Sequence, residues 1–293
     1  MRNLIFGAGY LGLRIAERWR ETGRSVHLVT RSAERAAAWR REGYEASVAD
    51  VTEQDSLRSL PSDVSILWAV GYDRSAEPSK TSVYVDGLRS MLQRFPAAPL
   101  TYVSSTSVYP AGGGRLVDET TAANPDSDGG RICQQAEELL QGRATTAIVR
   151  LAGIYGPDRT LARQAQLHSR RPLAGSGEEF LNLIHVDDAA AICGAVHGRP
   201  RSEASPTRWL GSDGSPVRRR DFYAELASLT GAPPPTFDGQ PRAGRPLTDR
   251  RCDSSHTRRE LGITLRFPSY REGLRDAIGQ ESPSDRASDT GTR

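Results

Sequence analysis

Lysine is almost absent from this chain: of its 39 basic residues, all but Lys80 are arginine. Arginine stays charged and presents a wide planar fork, so it is a poor substitute for lysine where a proton must be tuned. Charge of one sign is lacking too, with a formal net charge of +3 and 26% charged residues. The arginines fall in scattered pairs and one triplet, Arg218 to Arg220, opposed by many acids. That pattern describes a solvated surface, not a nucleic-acid face, and no nucleic-acid partner is expected. The three cysteines, Cys133, Cys193 and Cys252, are odd in number and far apart. Their spacing suggests neither a metal site nor a disulfide framework and fits a reducing, cytoplasmic setting. No apolar run approaches the length needed to cross a bilayer, so no membrane association is expected. The opening residues, interrupted by glycines and followed at once by Arg14, do not read as a secretion signal.

What the sequence does have is alternation. Asn3 to Phe6 reads as a short buried strand. Beyond it Leu11, Ile15 and Trp19 recur every four residues between charged positions, which predicts an amphipathic helix ending near Gly23. Further strands are expected over 26–29, 45–49, 65–70, 100–104 and 146–151, with helices over 33–41, 83–95 and 131–141. This rhythm predicts an α/β fold, a Rossmann-type doubly wound parallel sheet with helices on both faces. After residue 155 the pattern loosens. Helices are expected over 163–170, 187–196, 221–230 and 272–278, with a strand over 182–185. Asp187 is the expected N-cap of the second of these. The predicted organisation is a nucleotide-binding domain over 1–155, to which 185–198 return, and a small C-terminal substrate-side α/β annex over most of 156–278. The polar end, 279–293, reads as a disordered tail.

The sharpest motif is Gly7-Ala8-Gly9-Tyr10-Leu11-Gly12. G-x-G-x-x-G alone is weak evidence, but here it follows a strand and opens a helix at the start of a βαβ unit. Gly7 permits the tight turn, Gly9 lets the backbone approach a pyrophosphate, and Gly12 lets the helix pack close to the sheet. The helix N-terminus then offers N–H groups and a positive dipole end to the phosphates. The second strand ends in Thr30-Arg31-Ser32, where an NAD site would place an acid for the ribose 2′-OH. Arg31 can instead meet a 2′-phosphate with charge-assisted hydrogen bonds, and Ser32 can add another. NADP is therefore expected over NAD.

With the loop, Ser104-Ser105-Thr106-Ser107-Val108-Tyr109, Arg150-Leu-Ala-Gly-Ile-Tyr-Gly-Pro157 and Ile184-His-Val-Asp-Asp188 in order, the chain resembles the extended short-chain dehydrogenase/reductase family of nucleotide-sugar epimerases and dehydratases. It is most similar to atypical members that lack part of the catalytic set. The resemblance spans about residues 1–278. It implies pyrophosphate contacts at Gly7, Gly9, Tyr10, Leu11 and Gly12 and adenine contacts at Asp50 and Val51. It implies backbone under the cofactor at Ala69, Val70 and Gly71, and a nicotinamide-side loop at Ala152, Gly153 and Ile154. Ser105 matches the residue that hydrogen-bonds the reacting hydroxyl or carbonyl. Arg159 and His185 match positions that meet substrate, and His185 is equally readable as a packed residue. A homodimer through the helices after the fourth and fifth strands is a further implication.

One part of the resemblance fails. The family places a Tyr and a Lys four residues apart on one helix face. Aligned on Glu137-Glu138-Leu139-Leu140, those positions hold Gly129 and Cys133. No Tyr-x-x-x-Lys exists anywhere in the chain, and the usual asparagine of the preceding helix is replaced by Tyr84. Three readings follow. The first is an enzyme with a relocated acid at Tyr109, Tyr84 or Tyr72, of which Tyr109 is favoured for its place after Ser105. The second is a non-catalytic NADP-binding sensor or regulatory protein. The third is a carboxylate base at Asp73, Asp86 or Glu119. Cys133 as a nucleophile has only Arg131 nearby in sequence to activate it. The persistence of Ser105 favours an NADP-binding oxidoreductase or epimerase/dehydratase-like enzyme acting on a sugar nucleotide or another small hydroxyl or carbonyl compound.

Overall fold

The computed structural model describes residues 1–73, 77–199, 206–240 and 249–280. The strands, in chain order, are β1 (Arg2–Phe6), β2 (Val26–Thr30), β3 (Glu45–Val48), β4 (Val64–Trp68), β5 (Leu100–Ser105), β6 (Arg115–Val117), β7 (Thr146–Leu151), β8 (Gly153–Tyr155), β9 (Phe180–Leu181), β10 (Leu183–His185), β11 (Thr207–Gly211), β12 (Val217–Arg218) and β13 (Arg250–Cys252). The helices are α1 (Tyr10–Glu21), α2 (Ala33–Arg41), α3 (Gly87–Arg94), α4 (Asp128–Glu138), α5 (Leu161–His168), α6 (Val186–Gly198), α7 (Arg219–Thr230), α8 (Ser255–Leu261) and α9 (Tyr270–Gln280). A wider turn, Ser82–Asp86, precedes α3, so the chain is helical from Lys80 to Arg94. Of the expected tail, Gly279 and Gln280 belong to α9, and 281–293 lie outside the described residues.

Seven strands form one sheet in the order β11-β7-β5-β4-β1-β2-β3. The β1–β2, β1–β4, β2–β3 and β4–β5 pairs are parallel, with Phe6 opposite both Val29 and Trp68. Sheets covered on both faces need near-continuous apolar strands. Val26–Val29 and the whole of β7 are buried in that way. On one face Leu4, Phe6, Ile66, Trp68, Leu88 and Ile148 share a core. Each such side chain contributes about 1.5–3 kcal/mol on leaving water. The order reverses at β1, from which the chain first runs outward through β2 and β3 and then returns to β4 on the other side. Such a switch point leaves a crevice at the carboxyl ends of the strands.

The chain divides into two compact units. One comprises Met1–Val108, Asp128–Arg150 and Ala190–Trp209; the other comprises Tyr109–Ser127, Leu151–Ala189 and the described residues from Leu210 on. The pairings that make this division are non-local. Arg115–Val117 pairs in parallel with Arg250–Cys252, and Glu119 takes hydrogen bonds from the Thr257 amide and hydroxyl, which draws 109–127 into the second unit. Into the first unit returns the end of α6, where His197 stacks on Trp19 at 4.6 Å and bonds Thr101, Ser65 and Asn3. The second unit has its own core of Tyr155, Leu183, Phe222, Leu226 and Leu274. Because α6 begins at Val186, Asp187 lies inside its first turn and is not the expected cap. The neighbouring Asp188 instead accepts the Arg266 and Phe267 amides at 2.8 and 2.9 Å.

Candidate dinucleotide site

The loop between β1 and α1 is closed where it meets protein and open where it does not. Gly7 has φ +83°, and a Cβ there would lie 2.3 Å from the Ala69 carbonyl oxygen. A Cβ on Gly12 would lie 2.4 Å from the Gly7 carbonyl oxygen. Glycine is therefore required at both by close backbone approach. Gly9 differs: a Cβ there would meet nothing within 4 Å. Packing among the described residues does not explain glycine at this position, whose backbone is open on this side. Gly9 caps α1 without a side-chain hydrogen bond, and the first turn, opened by Tyr10 and Leu11, carries no acid. The positive dipole end of α1 thus has no competing acid in its first turn. These residues fit the pyrophosphate of a dinucleotide.

The other segments expected to meet a cofactor follow the ends of the neighbouring strands. Ala69 donates its amide to Phe6 at 2.8 Å, which holds 69–71 beside the glycines. Val70 is half-buried and Gly71 exposed. Asp50 spends one carboxylate oxygen on the Thr52 amide and hydroxyl, at 2.9 and 2.7 Å. Val51 packs under Gly87, where a Cβ would come within 2.7 Å of it. At the end of β2, Ser32 accepts the Arg35 amide at 3.1 Å and so caps α2. Arg31 is exposed and pairs with Asp73 at 3.1 Å.

On α4 the chemistry of the resemblance is gone but the anchoring remains. Glu137 receives a two-pronged contact from Arg150, at 3.1 and 2.7 Å, and the Ser104 hydroxyl at 2.6 Å. All three are buried, and they tie α4 to β5 and β7. Ser105 is half-buried, and its Oγ accepts the Ser107 amide at 3.1 Å. Cys133 is buried and hydrogen-bonded to Ser107; burial pushes its thiol up, against the opposing pull of Lys80. A neutral thiol is a poor nucleophile.

Lys80, passed over in the sequence because no tyrosine stands four residues before it, reaches this place from the neighbouring helix. Its Nζ donates to the Gly129 carbonyl at 3.4 Å and lies 5.1 Å from the centre of the Tyr84 ring. The reverse spacing, Lys80-Thr-Ser-Val-Tyr84, was the legible signal. Burial raises the Tyr84 phenol, Cys133 adds to this, and a hydrogen bond from the Tyr72 backbone opposes it.

The carboxylates proposed as bases all have partners. Asp73 pairs with Arg31, Asp86 with Arg89 at 2.6 Å, and Glu119 with Thr257. The remaining expected site residues belong to the second unit. Tyr109 is 1% exposed, and its carbonyl accepts from Arg250. Ala152 donates to the Gly211 carbonyl and Gly153 to that of Asn182, while Ile154 lies opposite Ile184 in the β8–β10 pair. Arg159 is exposed, just after Asp158 at φ 64°. His185 is fully buried against Phe267 at 3.9 Å, with Asp276 at 3.4 Å from its Nε2. That is the packed role its motif also allowed.

A doubly wound sheet with a glycine turn at its switch point is the Rossmann-type fold of the short-chain dehydrogenase/reductase class. The model of the NAD dependent epimerase/dehydratase family matches residues 4–210, and the chain belongs to that family. Protein YeeZ of Escherichia coli K12 is 26% identical over 280 residues, 90% of this chain and 95% of that protein. A functionally unknown conserved protein from Silicibacter pomeroyi DSS has a similar structure, with TM-score 0.73, 26% identity, and 96% and 99% of the two chains covered. The UDP-glucose 4-epimerase of Thermus thermophilus, solved in complex with NAD, shares the fold with TM-score 0.78 at 16% identity, over 95% and 98% of the chains. Among the described residues no helix is long and apolar enough to cross a membrane.

Proposed function

We propose that the chain binds NADP and acts as an oxidoreductase of the epimerase/dehydratase kind on a sugar nucleotide or another small hydroxyl or carbonyl compound in the cytoplasm. The carrying observation is the contrast within the loop, where Gly7 and Gly12 are glycine because protein presses on them and Gly9 is glycine although nothing among the described residues does. Bound NADP would supply or accept a hydride. The chain's own residues would bind and orient it: the α1 N-terminus the pyrophosphate, 69–71 the ribose side, Arg31 and Ser32 the 2′-phosphate. The absence of an acid at the end of β2 supports NADP over NAD. The substrate class is supported by MoeE5, a protein of the same fold solved with UDP-glucose and NAD. The loss of the tyrosine and lysine from α4 supports a second reading, a sensor that binds NADP without turnover.

Calorimetric titration with NADPH and NADH tests this. Wild type is expected to prefer NADPH. Arg31→Ala should weaken NADPH by about tenfold or more and leave NADH unchanged, since it removes contacts to one phosphate only. Asp73→Asn should strengthen NADPH by freeing Arg31. Equal affinity for both nucleotides would overturn the NADP assignment, and binding of neither would overturn the function. Turnover is then screened with UDP-glucose and NADP.

A further inference from the structure

The chain's one lysine stands where its missing pair should be. A Cβ on Gly129 would lie 3.0 Å from Lys80 Nζ, so the ammonium stands beside the point where a side chain at 129 would begin. Lys80 and Tyr84 are four residues apart in one continuous helical segment, and the cation lies over the phenol ring. Helical residues four apart share a face. We propose that Tyr84 and Lys80 are this chain's own proton-transfer pair, moved from α4 to the neighbouring helix and reversed in order. Tyr84 is the phenol that exchanges a proton with a substrate oxygen, and Lys80 positions and tunes it. This rests on the NADP reading above.

The placement supports the assignment. The Tyr84 hydroxyl takes its hydrogen bond from the backbone of Tyr72, which directly follows the 69–71 segment beside the glycine loop. Across from it, Ser105 connects through Ser107 to Cys133, which feels the Lys80 charge. These groups gather where β4 and β5, adjacent in the sheet, end. That is the crevice side of a parallel sheet. The titratable groups around Tyr84 are Lys80 on its own helix, Cys133 on α4, Tyr102 on β5 and Tyr72 after β4, with Glu137 acting on Cys133 and Tyr102. Among these Lys80 is the cation.

The step balances within the pair. The phenol O–H bond breaks, the proton bonds to the substrate oxygen, and the electron pair stays on Tyr84 as phenolate. Lys80 offsets that charge, and the reverse holds when the substrate gives up its proton. The hydride moves separately, with the nicotinamide dinucleotide as co-reactant.

The test labels tyrosine Cζ with carbon-13 in the whole protein and titrates it by NMR, with Tyr84→Phe assigning the signal. Lys80→Met should raise the Tyr84 pKa by about one unit, a tenfold change in acidity. Lys80→Arg should restore part of it. Saturating NADP should shift the Tyr84 signal. Tyr84→Phe should keep NADPH affinity within about threefold while lowering kcat on UDP-glucose about a hundredfold, as loss of a general acid does. A Tyr84 titration indifferent to Lys80→Met overturns the pair, as does undiminished kcat in Tyr84→Phe. If wild type binds no dinucleotide, the function falls instead, and the Lys80 dependence of the Tyr84 titration still decides whether the two are coupled.

Discussion

At the scale of single residues, the loop glycines are of two kinds, and substitution tells Gly12 from Gly9. Gly12→Ala puts a methyl 2.4 Å from the Gly7 carbonyl, so the helix must move from the loop. We expect it to lose about 1–3 kcal/mol of stability and dinucleotide binding together. Gly9→Ala meets nothing within 4 Å among the described residues and has an ordinary negative φ of −102°. Its melting temperature should match wild type while NADPH binding drops. A Gly9→Ala protein that melts early, or binds NADPH normally, would contradict the reading of the open side of the loop as a ligand face. The loop was legible in the sequence because its physics is local: a strand, three glycines and a helix in close succession. The environment of Lys80 was not, because its nearest partner, Gly129, is 49 positions away. A search for tyrosine before lysine could not find lysine before tyrosine.

At the scale of elements, α4 persists although the pair it should display is gone. Its polar anchor explains this. Arg150 is 2% exposed and Glu137 6%, so neither charge has much water to fall back on. Removing one partner from such a pair leaves the other buried and uncompensated, at a cost of about 3–5 kcal/mol. Glu137→Gln is therefore expected to lower unfolding free energy by an amount in that range, read by urea denaturation with an unchanged m-value. A loss below about 1 kcal/mol would mean the pair is solvated and α4 is held by its apolar face alone. That apolar face, Ile132 and Ala136 with Leu139 and Leu140 just past the helix end, was readable from helical spacing, as were the long strands from their continuous apolar runs. The sequence reading missed β11 and mistook an Asp in the first turn of α6 for its cap. It also missed the seven-residue helix α8 and the two- and three-residue strands β6, β8, β9, β12 and β13, which are too short to show a period.

At the scale of the whole molecule, the sequence carried the alternation of strand and helix, while the division into two units rests on non-local pairing. That division is made by partners more than a hundred residues apart, such as Glu119 with Thr257. Distant pieces also bring unlike charges and like charges together, and one buried carboxylate makes this measurable. Asp213 is 3% exposed. Burial is the main cause that pushes its pKa up to about 7, with the Ser215 hydrogen bond and Arg258 opposing and Asp188 and Glu272 adding to it. An unfolded Asp titrates near 4. Between those values the folded chain holds more protons at this site than the unfolded chain, so stability falls as pH rises. The contribution is complete below about pH 4 and lost once pH passes about 7. Asp213→Asn keeps an oxygen for the Ser215 amide, which now bonds Oδ1 at 2.9 Å, and removes the charge. We expect it to stabilise the protein at pH 8 by on the order of 2–4 kcal/mol and to leave stability near pH 4 unchanged. Denaturation of both proteins across that range checks the sign, and an Asn variant less stable than wild type at pH 8 would show that the Asp213 charge is compensated in the fold.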